Sequence, residues 1–401
     1  MSLKIYLAIL GAIVCSASPV IRDNCNNDGG YTERPCGEDP TKLWLDIVLV
    51  VDNSKGMTKK GLQAVIANIQ SMFDEGQQIG ISSSEPRTTR VGVVTYNSGA
   101  TVAADLNAYK SLNDLNNGVN TILAATSDVT LSYLQTGLQA AEELLEKQSF
   151  GTDRDHYRKL IIVYASDYKS TGQYDPVPIS NRIKESDITI ATIAYIQDNN
   201  DAFLDKLSRI ATPGYGFSSQ DRSLVGELHT CMNQVNCYCP NSWYQLRQSF
   251  ANPSSTRYGV CLIPVTIEAT WVAAKLACQR YGKNGYLVNE YSQSKHDYVL
   301  NVVMNNTAFT QPYTYFIGLS YYSGSWQWEQ PAGKSSLLLQ NWNDWNPSFP
   351  TVSSTKVVGV NVQATSAPST GWENTERTVA EYYVCETAAC DSTNYCEPDD
   401  E

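Results

Sequence analysis

The fold of this chain is decided near its start by the sequence LDIVLVVDNSKG, residues 45 to 56. The apolar run Leu45 to Val51 is typical of a strand buried on both faces, and a helical pattern begins near Thr58. Asp52 and Ser54 therefore lie where a buried strand ends, and ligands collect at such ends in open parallel sheets. Because carboxylate and hydroxyl oxygens suit Mg²⁺ or Ca²⁺, this stretch predicts a cation site at the sheet edge.

Strand-like and helix-like segments alternate from residue 41 to about residue 230. Strands are predicted at 43 to 51, 91 to 96, 160 to 164 and 188 to 196. Helices are indicated by apolar residues spaced three and four apart at Leu62 to Phe73, Leu112 to Leu123, Leu134 to Leu145 and Phe203 to Ile210. This alternation predicts an α/β domain, a doubly wound parallel sheet covered by helices on both faces.

The composition changes after Cys239, where Trp, Tyr, Asn, Ser and Gly become dense. Only one helix is predicted here, Thr270 to Tyr281, and short aromatic runs such as Tyr315 to Leu319 and Trp326 to Trp328 are typical of strands between long loops. We therefore expect a second domain of the α+β class, joined to the first at Cys231 to Cys239.

The first 17 residues have the pattern of a secretory signal peptide, with one Lys, an apolar stretch and small residues before a cleavage site after Ala17. Removal of that segment leaves ten cysteines, an even number that suggests up to five disulfides in an oxidising compartment. We expect a secreted protein, since no later stretch of about 20 apolar residues predicts a transmembrane segment.

The formal net charge of −12 argues against nucleic acid as a partner, because phosphate recognition needs a basic surface. The three histidines, His156, His229 and His296, belong to no recognisable catalytic motif, and each is interpreted as a surface or loop residue. The sequence therefore predicts a binding protein and no enzyme.

Three segments of the first domain together resemble the von Willebrand factor A domain. These are Asp52-x-Ser54 after the first strand, Leu131 to Leu138 at a helix start, and Asp167 after the strand 160 to 164. The resemblance implies a metal-ion-dependent adhesion site formed by Asp52, Ser54, Ser132 and Asp167, holding Mg²⁺ or Ca²⁺. In that family an acidic residue of the protein partner completes the metal's coordination.

One position departs from the family pattern, since Gly56 stands where a second serine is expected. The site therefore lacks one direct hydroxyl ligand and is expected to hold its cation more weakly. Purely structural roles remain open for these residues. Ser132 with Gln135 fits a capping box, Asp52 and Ser54 fit helix caps, and Asp167 fits an ordinary turn.

The second domain resembles the C-type lectin-like domain over about residues 239 to 387. The resemblance depends on Cys239, Cys261, the segment Thr270 to Cys278, Phe316 to Leu319, Trp326-x-Trp328 and Tyr382 to Glu386. It implies the disulfides Cys239–Cys261 and Cys278–Cys385. The pairing of the other cysteines, Cys25, Cys36, Cys231, Cys237, Cys390 and Cys396, does not follow from the sequence.

The loop that binds calcium and sugar in this family is altered. The chain has Asn346-Pro347-Ser348 and Trp372-Glu373-Asn374, which together supply few carboxylate oxygens for calcium. We expect calcium-independent binding, with Trp345, Tyr321 or Tyr322 as alternative stacking surfaces for sugar rings. The other tryptophans, Trp326, Trp328, Trp342 and Trp372, are interpreted as core residues, and Asn305 lies in a glycosylation sequon.

The order of domains resembles secreted nematode C-type lectin-like proteins, a group linked to recognition of microbes or extracellular surfaces. The expected boundaries are a signal peptide at 1–17, a cysteine-containing leader at 18–40, the A-like domain at 41–230, a linker at 231–238, the lectin-like domain at 239–387 and an acidic tail at 388–401. Three functions follow: a secreted adhesion protein binding an extracellular protein or glycan, a metal-free extracellular structural protein, and a calcium-dependent lectin.

Overall fold

A computed structural model describes residues 31–73, 76–197, 202–363 and 370–397. The expected signal peptide and Cys25 lie outside these residues. Within them, no helix combines the length and the apolar character needed to cross a bilayer. The chain forms two domains, an α/β domain followed by an α+β domain, which confirms the predicted fold class.

Within the described residues, the first domain contains six strands and six α-helices. The strands are β1 (Leu45–Asp52), β2 (Arg90–Tyr96), β3 (Ala100–Ala104), β4 (Arg158–Ala165), β5 (Thr189–Ala194) and β6 (Gly216–Ser218). The helices are α1 (Thr58–Met72), α2 (Leu112–Ile122), α3 (Leu134–Gln148), α4 (Pro176–Glu185), α5 (Leu204–Ser208) and α6 (Leu224–Val235).

The sheet has the order β3-β2-β1-β4-β5-β6, and all pairs are parallel except β2 with β3. Every residue of β1 is buried, because alternate side chains point into two separate hydrophobic cores. Ile47 and Leu49 face α1, α2 and α6, whereas Val48 and Val50 face α3, α4 and α5. The strand order reverses between β1 and β4, and this is where such sheets form a ligand crevice.

The structure adds four elements to the predicted set: the edge strands β3 and β6 and the helices α4 and α6. Helix α6 also moves the expected domain boundary. The linker was expected to begin at Cys231, but α6 continues to Val235, and Cys231, Met232 and Val235 lie in the hydrophobic core of the first domain. Apolar side chains of the last helical turns need burial, so the helix extends into the segment that was predicted as linker.

In the part of the second domain that the structure describes there are nine strands and two α-helices. The strands are β7 (Tyr244–Arg247), β8 (Arg257–Thr270), β9 (Tyr286–Leu287), β10 (Thr314–Tyr322), β11 (Ser325–Trp328), β12 (Leu337–Leu338), β13 (Lys356–Gln363), β14 (Thr370–Glu376) and β15 (Ala380–Ala388). The helices are α7 (Trp271–Tyr281) and α8 (Gln293–Met304). Strands β8 and β15 pair antiparallel at the centre of the sheet.

Helix α8 corrects the expectation of a single helix in this domain. Its residues Tyr298, Val299, Val302 and Val303 are all buried, and so are Lys295 and His296 near its start. The helix is therefore covered on several sides and lacks the one-sided apolar pattern by which surface helices are recognised.

Four disulfides join the described cysteines. Cys239–Cys261 and Cys278–Cys385 are the two bonds that the resemblance implied. Cys36–Cys237 ties the segment before the first domain to the linker, and Cys390–Cys396 closes a short loop in the tail. Cys231 is a buried free thiol among the described residues.

The tail packs back against the base of the first domain. The Trp44 indole donates to the Asp391 carbonyl oxygen at 3.1 Å, and Tyr395 packs edge-on against Trp44 with ring centroids 5.0 Å apart. A β-bridge pairs Tyr238 of the linker with Cys390 of the tail. Linker and tail therefore lie side by side where the two domains meet.

Candidate functional site

Asp52 ends β1 at the crevice between β1 and β4, and its side chain is fully buried. The chain must turn here, and Asp52 Oδ1 accepts a hydrogen bond of 2.8 Å from the backbone N–H of Ser54. This bond fixes the backbone of Ser54, since aspartate side chains in turns often accept a hydrogen bond from the backbone two residues further on. Ser54 is also buried, so both residues of the predicted motif lie inside the crevice.

Two hydroxyl groups from distant segments converge on the other oxygen of Asp52. The Ser132 hydroxyl, just before α3, donates to Asp52 Oδ2 at 2.9 Å. The Ser166 hydroxyl, just after β4, donates to the same oxygen at 2.6 Å. The structure thus brings Asp52, Ser54 and Ser132 together, and it adds Ser166, which the sequence interpretation missed.

Asp167 is placed differently from the other predicted ligands. Its side chain is 46% exposed, its Oδ1 accepts from the backbone N–H of Tyr168 at 2.7 Å, and its Oδ2 faces Lys169 Nζ at 3.4 Å. The carboxylate lies at the same edge of the sheet but is engaged with its own turn. The contacts of Asp167 therefore agree with the turn role that the sequence left open.

The alternative capping roles do not match the observed contacts. Ser132 precedes the N-cap of α3, which is Tyr133 and has no side-chain capping bond. Its hydroxyl is used by Asp52 instead. Helix α1 likewise begins after Met57 without a side-chain cap. The Ser132 and Ser166 hydroxyls are thus directed toward the crevice carboxylate and not toward helix ends.

Tyr96, the last residue of β2, lies under this cluster. Its hydroxyl is buried next to Ser132. Burial, together with the nearby Asp52 and Asp167 carboxylates, raises the pKa of Tyr96 well above its usual value. At the rim, the rings of Tyr133 and Tyr174 stack with centroids 3.9 Å apart.

The donor set at this edge fits a hard cation. The Ser132 and Ser166 hydroxyls donate hydrogen bonds to Asp52, so the lone pairs of both hydroxyl oxygens remain available to a metal. His, Cys, Asp and Glu do not gather in groups of three or more that would hold a metal, either at this edge or elsewhere in the described residues. A cation here would therefore depend mainly on hydroxyl oxygens.

In the lectin-like domain, the residues at the family's calcium loop bind one another. The Asn346 amide donates to Glu373 Oε1 at 3.0 Å, and Asn374 is buried with its Oδ1 accepting from the Thr351 backbone N–H at 2.7 Å. The Asn374 amide also donates to the Lys356 carbonyl oxygen at 2.8 Å. Amide donors and backbone groups thus use the oxygens that calcium would need.

Beside this loop, aromatic rings form a continuous series from the surface to the core. Tyr321 packs on Trp326 at 5.4 Å, Trp326 on Trp345 at 5.0 Å, and Trp345 on Trp372 at 5.8 Å. Trp372 is fully buried, as predicted, whereas Tyr321 and the neighbouring Tyr322 are 40% and 66% exposed. The outer end of this series is a surface suited to stacking against a ring.

The structure also locates the sequon residue Asn305 and two of the histidines. Asn305, in the glycosylation sequon, is exposed at the end of α8. The expectation that every histidine lies on the surface or in a loop is wrong for His296, which is buried in α8 and bonded to Glu290 at 2.8 Å. His156 is also buried, with Nε2 lying 3.0 Å from the Tyr395 hydroxyl.

Comparison with known proteins agrees with both resemblances. The family described as von Willebrand factor type A domain matches residues 46–230, and the family described as Lectin C-type domain matches residues 267–387. The chain is therefore a two-domain protein in which a von Willebrand factor A domain precedes a C-type lectin domain.

A curated relative is similar to this chain over most of its length. C-type lectin domain-containing protein 160 of Caenorhabditis elegans is 28% identical to this chain over 385 residues, which cover 92% of the chain and 57% of that protein. The chain thus spans little more than half the length of this relative.

Solved structures resemble each domain. Proximal thread matrix protein 1 from the mussel byssus, in a structure with a zinc-occupied metal-ion-dependent adhesion motif, is 19% identical, covers 50% of this chain and 49% of its own, and has a TM-score of 0.41. Human lithostathine is 20% identical, covers 37% of this chain and 90% of its own, and has a TM-score of 0.29.

Proposed function

We propose that this is an extracellular binding protein whose A domain holds a divalent cation at Asp52 and engages an acidic group of a protein partner. The observation that carries the proposal is the convergence of the Ser132 and Ser166 hydroxyls on one oxygen of Asp52. Hydroxyl ligands are neutral, so a cation held by them would keep its positive charge. It would therefore attract a partner carboxylate to a coordination position otherwise filled by water.

The surroundings of the crevice favour an acidic partner. Lys55, Lys59 and Lys60 are exposed at the loop and first turn that follow β1. Cations near the N-terminus of α1 oppose its helix dipole, so these lysines do not serve the stability of the helix. In a chain of net charge −12 they form a local positive rim that attracts negative groups.

A cation titration of the full chain tests this proposal. A ligand that binds only the native state at one hundred times its Kd stabilises it by about 2.7 kcal/mol. We therefore expect Mg²⁺ or Mn²⁺ to raise the melting temperature of the wild type and not that of Asp52→Ala. Asp153→Ala is the matched control, since Asp153 is an exposed carboxylate before the opposite end of β4.

Equal melting shifts in the wild type and in Asp52→Ala would contradict the cation site. An absent shift in the wild type would favour the second candidate, a metal-free extracellular interaction protein. The observation behind this alternative is the engagement of Asp167 with Lys169 and its own turn.

For the lectin-like domain we propose binding of glycan or protein without calcium, through the aromatic surface of Tyr321, Tyr322 and Trp326. The support is the mutual bonding of Asn346, Glu373 and their neighbours at the altered loop. A glycan array read with and without EDTA is expected to give the same signals. Tyr322→Ala should weaken them, while Tyr281→Ala, which removes an exposed tyrosine on α7, should not. Signals abolished by EDTA would instead identify a calcium-dependent lectin.

A further inference from the structure

Gly56 and Ser166 lie next to each other although 110 residues separate them in the chain. A Cβ atom built on Gly56 would lie 3.4 Å from Ser166 Oγ and 3.5 Å from Ser54 Oγ, both ordinary contacts. The space beside Gly56 is therefore bordered by two hydroxyl oxygens. A serine at position 56 would place its hydroxyl among them.

The hydroxyl of Ser166 is held in a defined position. It donates to Asp52 Oδ2 at 2.6 Å, and the backbone N–H of Ser166 reaches the same oxygen at 3.3 Å. Ser166 follows directly after β4, which is paired with β1 from Arg158 to Tyr164. The sheet therefore fixes Ser166 relative to Asp52 more firmly than a flexible loop would.

We propose that Ser166 supplies the hydroxyl ligand that Gly56 lacks, so that the cation is held by Ser54, Ser132 and Ser166 around Asp52. This inference rests on the proposed cation site and adds a residue to it. The missing serine in the first motif is compensated from the end of the neighbouring strand. The site is then complete in hydroxyl number, although its sequence motif is not.

A role of Ser166 that is limited to orienting Asp52 makes a different prediction. In that case a hydroxyl added at position 56 would not replace the lost contact with Asp52 Oδ2. If Ser166 instead serves as a metal ligand in place of residue 56, a serine introduced at position 56 restores a hydroxyl ligand to the same space. The two roles therefore separate in a double-mutant cycle between positions 56 and 166.

The experiment is calorimetric titration of Mg²⁺ and of Mn²⁺ into the full chain in four forms: wild type, Ser166→Ala, Gly56→Ser and the double variant. We expect Ser166→Ala to weaken binding by about tenfold or more and Gly56→Ser to recover most of that loss in the double variant. In the wild-type background, Gly56→Ser should change Kd by less than about threefold, because the site already has its hydroxyls.

Melting temperatures in EDTA, measured on the same four proteins, report whether each variant is folded. If Ser166→Ala does not fold, the single variant Gly56→Ser still decides, since a gain of about tenfold would show that the wild-type site lacked a ligand. Equal affinities in Ser166→Ala and the wild type, or a double variant as weak as Ser166→Ala, would overturn this inference and leave the cation site standing. An absence of cation binding in the wild type would overturn both.

Discussion

The ammonium group of Lys295 lies 2.7 Å from the carboxylate of Glu33. Lys295 is on α8 of the lectin-like domain and 1% exposed, whereas Glu33 belongs to the segment that precedes the A domain. A second carboxylate, Glu386 on β15, lies 2.8 Å from the same ammonium group. The segment before the first domain is thus anchored inside the second.

Replacement of Lys295 by methionine should destabilise the protein strongly. The change leaves Glu33 and Glu386 buried without their cation, and breaking a buried ion pair in this way costs about 3–5 kcal/mol. Urea unfolding at pH 8 measures the loss. Lys334→Met, at an exposed lysine in a turn of the same domain, is the control and should change stability by less than about 0.5 kcal/mol.

Because of Glu33, we expect the free energy of unfolding to fall between about pH 4.5 and pH 7. Burial raises the pKa of Glu33 to about 7, more than the opposing Lys295 lowers it. The folded state therefore keeps a proton that the unfolded state has lost, and the free energy of unfolding decreases as pH rises through this range. Glu33→Gln should flatten this part of the curve. Identical pH profiles for the two proteins would contradict the assignment.

Because of His296, we expect the free energy of unfolding to fall a second time at higher pH. Burial alone would lower the pKa of His296, but Glu290 and Asp344 overcome this effect and raise it to about 9. A raised histidine pKa stabilises the fold fully below about pH 6.5, and the contribution is lost as pH rises toward 9. His296→Gln should remove this slope, on the order of 3 kcal/mol in total. Denaturant unfolding at pH 6, 7.5 and 9 measures it.

We expect the packing of α3 at Gly137 to affect cation binding. A Cβ at this position would lie 2.8 Å from Val50 Cγ1 and 3.0 Å from Tyr96 Cδ1, so Gly137→Ala must move α3 away from β1. We expect a destabilisation of about 1–3 kcal/mol and weaker cation binding, because Ser132 directly precedes this helix. Gly226→Ala is the matched control, since Gly226 lies on α6 with open space around it and should be neutral or stabilising.

The strands that the sequence predicted are those with continuous apolar runs, such as Leu45 to Val51, because burial on both faces leaves a strong signal. The edge strand β3 was missed because its first four residues are exposed and show no alternation. Helix α8 was missed for the opposite reason, since burial on several sides hides its period.

In the candidate site, too, some features were predictable from the sequence and others arise only in the folded structure. Asp52 and Ser54 were predicted from the end of a buried strand, and Ser132 from the resemblance to the von Willebrand factor A domain. The direction of Asp167 depends on Lys169 and the Tyr168 N–H, contacts that arise only in the folded loop. Ser166 carries the same signal as Asp52, a polar residue at the end of a buried strand, and that criterion applied to β4 would have found it.

The bridge between Tyr238 and Cys390 has a mechanical consequence. The chain enters the lectin-like domain through the linker and leaves it through the tail, and the two segments are bonded to each other at the base of the A domain, where Trp44 also holds Asp391. A pulling force between a partner of one domain and a partner of the other is therefore shared between the covalent linker and the non-covalent contacts that the tail makes with the linker and with Trp44. These contacts have to break before the linker alone carries the tension between the domains.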